Sequence, residues 1–312
     1  MTTLGQLSAF VLVARLGSVT DAARALGVSE SAVSQALAAL RQHHGDKLLV
    51  RSASGMTLTP GGSRLLPIAS QMVALGADAD AAVREANGVA ERLHVVVTST
   101  IGEFVADPLL AAFTARSGQA VDASAGLARV ADMPVLVANR LADAALGPQL
   151  AGKVDSVAVF RCNLVAVAAP DFRPRGGPER WPWLVDPSGA DPDSGTACLL
   201  RQLGVAESAI RVFPNQTAAW SAAAHGSGVS LALEHLAAPQ LRRRELAVVP
   251  TPATPWPECW HLTTLPRHRC ADAASALRHF LATPAAMQVM RAPGAGVPPS
   301  RFRPPVYVTI WS

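Results

Sequence analysis

The sequence has few aromatic and charged residues and no long uninterrupted hydrophobic run. Aromatic side chains make up 5% and charged ones 16% of the 312 residues, whereas hydrophobic residues account for 50%. No apolar run approaches the roughly 20 residues that a membrane-spanning helix needs, and no basic segment followed by an apolar core marks a secretory signal. We therefore expect a cytoplasmic protein of one to three domains with no membrane partner.

Cysteines in metal-binding or redox patterns and catalytic motifs are also missing. The GxSxG, HExxH, P-loop and Rossmann glycine patterns are absent, so we expect neither enzymatic activity nor a cofactor. Cys259 and His261, with His268 and Cys270, are spaced more tightly than the usual structural zinc ligands, so we predict no metal site. Widely spaced cysteines outside any CxxC pattern favour reduced thiols. The sequence has four of them: Cys162, Cys198, Cys259 and Cys270.

The stretch from Ser18 to Leu40 has the pattern of two short helices joined by a tight turn. Ser18 is a good N-cap for a first helix over 19–26, which Gly27 can end. Ser29 can cap a second helix. Its expected buried side consists of Ala32, Val33, Leu37 and Leu40. Taken alone, the stretch is equally compatible with a helical hairpin inside a protein core.

Neighbouring segments favour a winged helix-turn-helix. Upstream, the apolar residues Leu7, Phe10, Val11 and Ala14 have helical spacing and predict a third helix. Downstream, residues 47–58 have the pattern of a short hairpin, or wing. Three helices and a wing complete this mainly α-helical DNA-binding fold.

This ordered pattern resembles the LysR-type transcriptional regulators over about the first 65 residues. Glu30, Arg41 and Leu49 depart from the residues most common in the family. The resemblance implies a sequence-specific DNA-binding regulator that responds to a small-molecule effector. The alternative is a solute-binding or enzymatic α/β domain whose helical appendage does not read DNA. The resemblance rests on Phe10, Gly17, Ser18, Ala22, Ala23, Leu26, Ser29, Ala32, Val33, Ser34, Leu40, Gly45, Leu48, Arg51, Leu58, Thr59, Pro60 and Gly61.

The polar side chains early in the second helix are suited to base edges in the major groove of double-stranded DNA. Gln35 suits adenine and Glu30 suits cytosine N4, while the wing suits phosphate or the minor groove. Arg51 can alternatively form a structural ion pair. Residues 1–64 carry six basic and three acidic side chains, which favours phosphate contact. The predicted DNA-binding residues are Ser29, Glu30, Ser31, Ser34, Gln35, Arg51, Ser52 and Ser54.

After the wing, the sequence predicts one long helix. Thr59 suits an N-cap and Pro60 the first helical position, and Asn87 with Gly88 can end the helix. Roughly 27 residues at about 1.5 Å each form a rod of about 40 Å. Its narrow apolar stripe predicts a homodimerisation helix, although the stripe can instead pack on its own domain. The stripe consists of Leu65, Ala69, Met72, Leu75, Ala79 and Val83.

From residue 91 onwards, short strands alternate with helices, which predicts an α/β domain with a largely parallel sheet. We expect separate strands over 157–160 and 164–169 and an irregular region over 170–195. A single helix over 271–289 is expected to close the domain.

The family resemblance implies that this α/β region is an effector domain like a periplasmic binding protein, with two subdomains. Subdomain one covers about 91–160 plus 255–290, and subdomain two about 161–254. The proline-rich tail is either disordered or an added edge strand. The predicted division is 1–58 for DNA binding, 59–90 for the linker helix, 91–292 for the effector domain and 293–312 for the tail.

Two polar clusters lie where ligands bind in open α/β sheets, beyond the carboxyl ends of strands. The first is Thr98, Ser99 and Thr100, and the second is Asn215, Gln216 and Thr217. In the family, matching positions commonly line the inducer pocket. Simple helix capping is the alternative, and no arginine is placed to clamp a carboxylate, so the ligand's charge is not predicted. A dimer places two DNA-contacting helices on an inverted repeat, and the resemblance implies a dimer of dimers.

Overall fold

Three helices and a hairpin begin the chain in the computed structural model of the protein. Ser18 and Ser29 cap α2 and α3 by accepting hydrogen bonds from the backbone N–H groups of Asp21 and Ala32. The predicted winged helix-turn-helix is confirmed. Its elements are α1 (Leu4–Leu16), α2 (Val19–Leu26), α3 (Glu30–His44), β1 (Leu49–Ser52) and β2 (Gly55–Leu58).

Some predictions concern parts of the chain that the structure does not describe. It describes residues 2–52, 55–87, 89–118, 120–152, 154–173 and 175–293. The wing residue Ser54, the side chain of Ser52 and the tail from residue 294 lie outside this description, so the predictions for them stay predictions.

The apolar side chains of the head, as we call α1–α3 and the wing, belong to one buried cluster that also includes Val130, Met133 and Val137 of the second region. Phe10 is fully buried, and Val33, Leu37 and Leu40 of α3 face it with at most 3% of their surface exposed. Ala32 was predicted on this buried side, but it is exposed. Burial recurs at steps of four and three from Val33, and a residue one position earlier is rotated by about 100° towards solvent.

The long helix α4 (Pro60–Ala86) begins and ends within a residue of the predicted limits. Thr59 Oγ1 accepts a hydrogen bond from the N–H of Gly62 at 3.0 Å. One side of the first half, including Leu66, Ala69 and Val73, is buried in the apolar cluster that contains α1. Ala69 is fully buried in its own protomer, which contradicts its predicted place on a dimerisation surface.

The remaining predicted stripe residues differ in exposure. Leu65 is half-buried, whereas Met72, Leu75, Ala79 and Val83 are exposed. With Ile68, these four form what we call the α4 stripe, an unpartnered apolar line along the helix.

Within the described residues, nine strands of the second region form one mixed sheet in the order β4-β3-β5-β11-β6-β9-β7-β8, with β10 paired to β6. β3 is parallel to β4 and β5, β7 is parallel to β8 and β9, and the long strands β6 and β11 run antiparallel through the middle. The strands are β3 (Glu91–Val97), β4 (Val121–Leu127), β5 (Ala144–Gly147), β6 (Asp155–Ala168), β7 (Trp183–Val185), β8 (Ile210–Val212), β9 (Val229–Leu233), β10 (Ala247–Val248) and β11 (Trp256–Thr264).

Helices connect these strands, which confirms the two-part α/β effector-domain architecture. Between α5 and α6 lies one π-helical segment, Gly102–Ala106. Among the described residues, no helix is long and apolar enough to span a membrane. The helices are α5 (Ser99–Ile101), α6 (Asp107–Ser117), α7 (Met133–Ala138), α8 (Gly195–Gln202), α9 (Gln216–Ala224), α10 (Glu234–Arg242), α11 (Asp272–Leu281) and α12 (Pro284–Arg291).

Four local predictions for this domain are wrong. The two strands expected at 157–160 and 164–169 are one strand, β6, because the polar residues between them pair with β11. The expected irregular region contains β7, which is too short to show alternation. The helix α10 was missed because it contains Pro239. The single closing helix is two, since Thr283 caps a new one with Pro284 at its first position.

Candidate functional site

The first half of α3 presents a row of polar side chains to solvent. The residues Ser29, Glu30, Ser31, Ser34 and Gln35, which we call the polar face of α3, are all exposed. Ser29 Oγ accepts from the N–H of Ala32 at 3.2 Å and lies 2.8 Å from Ser31 Oγ. Glu30, Ser34 and Gln35 have no hydrogen-bond partner among the described residues. The apolar side of α3 therefore packs into the protein, while the side chains of Glu30, Ser34 and Gln35 remain accessible to a ligand.

In the wing, Arg51 is exposed on β1. It forms no ion pair with any residue that the structure describes, which does not favour the structural role left open above. Arg41 has a structural contact, since its Nε donates to the carbonyl of Lys47 at 2.9 Å. Within the described residues, Arg51 is thus a free cation on the first strand of the wing.

A cavity of about 60 Å³ lies between the carboxyl ends of the two parallel strand sets. Thr98 follows β3, Ser188 follows β7, and β11 contributes Glu258 and Trp260. This is the position that open α/β sheets use for ligands. The lining residues are Thr98, Thr100, Ile101, Val130, Gly147, Pro148, Leu164, Ser188, Ser194, Gly195, Thr196, Gln216, Leu233, Glu258 and Trp260.

The first predicted cluster is held by a carboxylate from the other half of the domain. Thr98 and Thr100 line the cavity, whereas Ser99 does not. The hydroxyls of Ser99 and Thr100 donate to Asp186, which follows β7 and is fully buried. Ser188 also donates to this carboxylate. Asp186 therefore ties the start of α5 to the end of β7.

The second predicted cluster is also held by a carboxylate, in this case from the first half of the domain. Only Gln216 lines the cavity; Asn215 caps α9 by accepting from Ala218, and Thr217 is exposed. The N–H groups of Gln216 and Thr217 donate to the two oxygens of Glu103 at 2.8 and 2.9 Å, and the Thr217 hydroxyl donates as well. Burial raises the pKa of Glu103, and these hydrogen bonds partly offset the rise.

Sequence reasoning missed the acidic residues around the cavity. Asp191 accepts from the N–H of Val130 at 2.8 Å, a third link between the halves. Glu258 lines the cavity and has no hydrogen-bond partner among the described residues. Burial raises the pKa of the Glu258 carboxyl to about 7. An acidic residue directly after the apolar run Trp183-Leu184-Val185 was the available signal for Asp186, and it was overlooked because that region was assigned as irregular.

An ion pair of Arg129 adds to the apolar packing that joins the cavity region to the head. Arg129, next to Val130 on the cavity wall, lies 2.9 Å from Asp21 of α2 and 2.8 Å from Asp132. A further ion pair joins Arg140 of the second region to Asp78 of the long helix α4, with 2.8 Å between the charged atoms. The head therefore contacts the same part of the second region that forms one wall of the cavity.

The cysteine and histidine residues considered as metal ligands are not brought together. His261 Nδ1 lies 3.1 Å from the carbonyl oxygen of Cys259. Within the described part of the chain, no group of three or more His, Cys, Asp or Glu side chains is arranged to hold a metal ion.

Comparison with protein families decides between the two functions left open by the sequence. The family model of the bacterial regulatory helix-turn-helix protein, lysR family, matches residues 4–63. The model of the LysR substrate binding domain matches residues 86–285. The chain belongs to the LysR family. It is a LysR-type transcriptional regulator with a DNA-binding and an effector-binding domain, and the non-regulatory alternative is not favoured.

Individual relatives agree with this assignment along the whole chain. An uncharacterized HTH-type transcriptional regulator, Rv0377 of Mycobacterium tuberculosis, is 31% identical over 99% of this chain and 100% of its own length. The probable transcriptional regulator PA0477 from Pseudomonas aeruginosa has a TM-score of 0.52 at 26% identity, covering 89% of this chain and 96% of that one. The Vibrio cholerae virulence activator AphB, a LysR-type protein, shares the fold with a TM-score of 0.54 at 17% identity, covering 89% of this chain and 98% of that one.

Proposed function

We propose that this LysR-type regulator recognises its operator through the polar face of α3. The supporting observation is the division of that helix, whose apolar side is buried in the head while its polar side chains are exposed and free. A helix of this kind places hydrogen-bonding groups against base edges in the major groove. In this proposal Gln35 pairs with adenine, Glu30 accepts from cytosine, and Arg51 of the wing contacts the DNA backbone.

The protein works as a homodimer joined through α4 in this proposal. The α4 stripe supports it, because an exposed apolar line along a helix is suited to pairing with the same line on a second copy. Twofold pairing presents two α3 helices to an inverted-repeat operator. Two such dimers form the tetramer, and the regulator acts in the cytoplasm, where its DNA is found, without enzymatic activity of its own.

The cavity is the proposed effector site. It lies between two halves that Asp186, Glu103 and Asp191 hold together, so a ligand that changes the closure of the halves also moves the wall at Val130. Arg129 and its ion pair with Asp21 then pass that movement to α2. A ligand shifts the equilibrium only by its difference in affinity for the two arrangements.

Binding to DNA from upstream of the gene tests the operator proposal. The full-length protein should retain a fragment of this DNA in a gel-shift assay more tightly than a shuffled duplex of equal length and composition. Raising the salt concentration should weaken binding to both fragments, since phosphate contacts release counterions, but should leave the preference. Equal affinity for the two duplexes at every salt concentration would contradict the proposal.

A further inference from the structure

The two helix N-termini predicted to bind a ligand's polar groups already hold carboxylates of the chain itself. Glu103 accepts from two backbone N–H groups and one hydroxyl at the start of α9. Asp186 accepts from the hydroxyls of Ser99 and Thr100 at the start of α5. Hydrogen-bond donors at helix N-termini are the usual partners of an anionic ligand. At either of these two helix starts, a ligand carboxylate would therefore have to displace a bonded acidic side chain.

Glu258 is the acidic group of the cavity that has no such partner. It lies on β11 with a carboxylate oxygen directly beside Gly195 at the start of α8, so close that a Cβ at residue 195 would require the Glu258 side chain to move. None of the described residues donates a hydrogen bond to it. A carboxylate removed from water without a donor is costly, and a ligand that supplies the donors removes that cost.

The electrostatic surroundings of the cavity are acidic. Glu258 is the charged residue among its lining, and Asp186, Asp191 and Glu103 lie behind the walls. No lysine, arginine or histidine of the described residues lines the cavity. The guanidinium of Arg129 is directed outward, to Asp132 and to Asp21 of the head. The charged side chains at the cavity therefore favour a cation over an anion.

We propose that the effector is a small organic cation whose ammonium or amidinium group pairs with the carboxylate of Glu258. This inference rests on the proposed role of the cavity as the effector site. Leu164 and Leu233 provide apolar wall for the rest of the molecule, and Trp260 adds an aromatic side chain of the kind that attracts cations. The hydroxyls of Thr98 and Ser194 line the same space.

Three probes of equal size and different charge test the proposal: acetamidinium, acetamide and acetate. Each has the same planar heavy-atom skeleton and is small enough for a cavity of about 60 Å³. Binding to the full-length protein is measured by isothermal titration calorimetry at about pH 8, where amidinium is charged. The cation should bind roughly 10- to 100-fold more tightly than the other two, as expected for hydrogen bonds to a charged group.

Variants assign that preference to Glu258. Glu258→Gln keeps the shape and removes the charge, and should abolish the preference for acetamidinium. Glu258→Asp keeps the charge and should retain the preference with weaker binding. Glu207→Gln, at an exposed glutamate on the short helical turn Glu207–Ala209, is the matched control and should bind like the wild type. Circular dichroism of each variant establishes that it is folded.

The outcomes separate this inference from the proposed function. Tighter binding of acetate than of acetamidinium, equal binding of all three probes, absence of binding by all three, or a preference that survives Glu258→Gln overturns the inference. None of these results alters the DNA-binding proposal, which fails only if the protein does not discriminate between duplexes. Preferential, Glu258-dependent binding of the cation supports the inference even if the operator has not been found.

Discussion

The head and the effector domain hold their polar side chains in opposite ways. On α3 the polar residues are exposed and Gln35 has no partner among the described residues. In the effector domain the hydroxyls of Ser99 and Thr100 already donate to Asp186, and Thr217 donates to Glu103. The head therefore leaves its polar groups accessible, whereas in the effector domain most polar groups at the cavity bond to one another and Glu258 has no partner among the described residues.

Substitutions in the two regions should therefore differ in how they affect folding stability and binding. Changing an exposed polar residue of the head should alter recognition with little effect on folding. Changing a buried polar residue of the effector domain should alter folding, binding or both, because each side chain there holds another in place. The following four substitutions test this contrast and the proposed pairing through α4, the helix between the two regions.

The largest expected effect comes from a charge on the α4 stripe. Leu75 has 65% of its surface exposed, so Leu75→Asp should leave the protomer folded. In a twofold pair it buries two carboxylates near each other, and we expect it to weaken dimerisation by about 4 kcal/mol or more. Sedimentation velocity across a concentration series measures this change.

A matched substitution controls for the added charge. Val89 is 55% exposed and lies just beyond α4, and Val89→Asp should leave the dimer intact. If Leu75→Asp and the wild type sediment alike at all concentrations, the α4 stripe is not the dimer contact.

Asp186→Ala tests the hydrogen-bonded polar residues of the effector domain. Asp186 is fully buried, and its removal leaves the hydroxyls of Ser99, Thr100 and Ser188 without an acceptor. We expect unfolding in urea to become easier by about 3 kcal/mol. Asp193→Ala, at an exposed aspartate in the same segment, should change the unfolding free energy by less than about 0.5 kcal/mol. Equal decreases in unfolding free energy for the two variants would show that the hydrogen bonds to Asp186 do not stabilise the domain.

Glu258→Gln should make the ligand-free protein more stable, but only at high pH. Burial raises the pKa of Glu258 to about 7 in the folded state, while an unfolded glutamate releases its proton near pH 4.3. Between these values the folded state binds more protons, so its stability falls as the pH rises. The variant avoids this loss, which we expect to amount to about 2 kcal/mol at about pH 8 after allowance for the partial exposure of the group.

Urea unfolding curves at several pH values measure this difference. The wild type and Glu258→Gln should converge towards about pH 3.5, where the glutamate is largely protonated in both states. A constant difference across the whole range would mean that ionisation of Glu258 is not responsible.

Gln35→Ala is expected to have the smallest effect of the four on free energy, and it should affect recognition alone. It should reduce discrimination at one base pair of each half-site by about 1–2 kcal/mol without changing the unfolding free energy. Gln42→Ala, an exposed glutamine at the other end of α3, is the control and should leave the base preferences unchanged. An identical preference profile for Gln35→Ala and the wild type would remove Gln35 from the base contacts.

The head and the long helix were largely predictable because their signals are local. N-cap serines, a glycine between helices and apolar residues at helical spacing lie within a few residues of the structures they determine. The error at Ala32 concerns one residue at the edge of a helix face. The burial of Ala69 was not predictable, since it depends on α1, whose packing against α4 no pattern within α4 specifies.

The cavity was only partly predictable because its contacts join distant parts of the chain. The positions of Thr98 and Gln216 followed from the rule that ligands bind beyond strand ends. Their neighbours Asp186 and Glu103 are separated from the groups they hold by 86 or more residues, and no periodicity indicates such pairs. Asp186 also follows a strand of three residues, which is too short to recognise with certainty in a segment rich in proline.

The central claim is that the exposed side of α3 recognises DNA sequence. Selection of bound duplexes from a randomised library by the full-length protein tests it most directly. We predict an inverted-repeat motif whose half-sites lose one preferred base pair in Gln35→Ala. Recovery of unbiased sequences, or of the same motif with every preference intact in that variant, would contradict the claim.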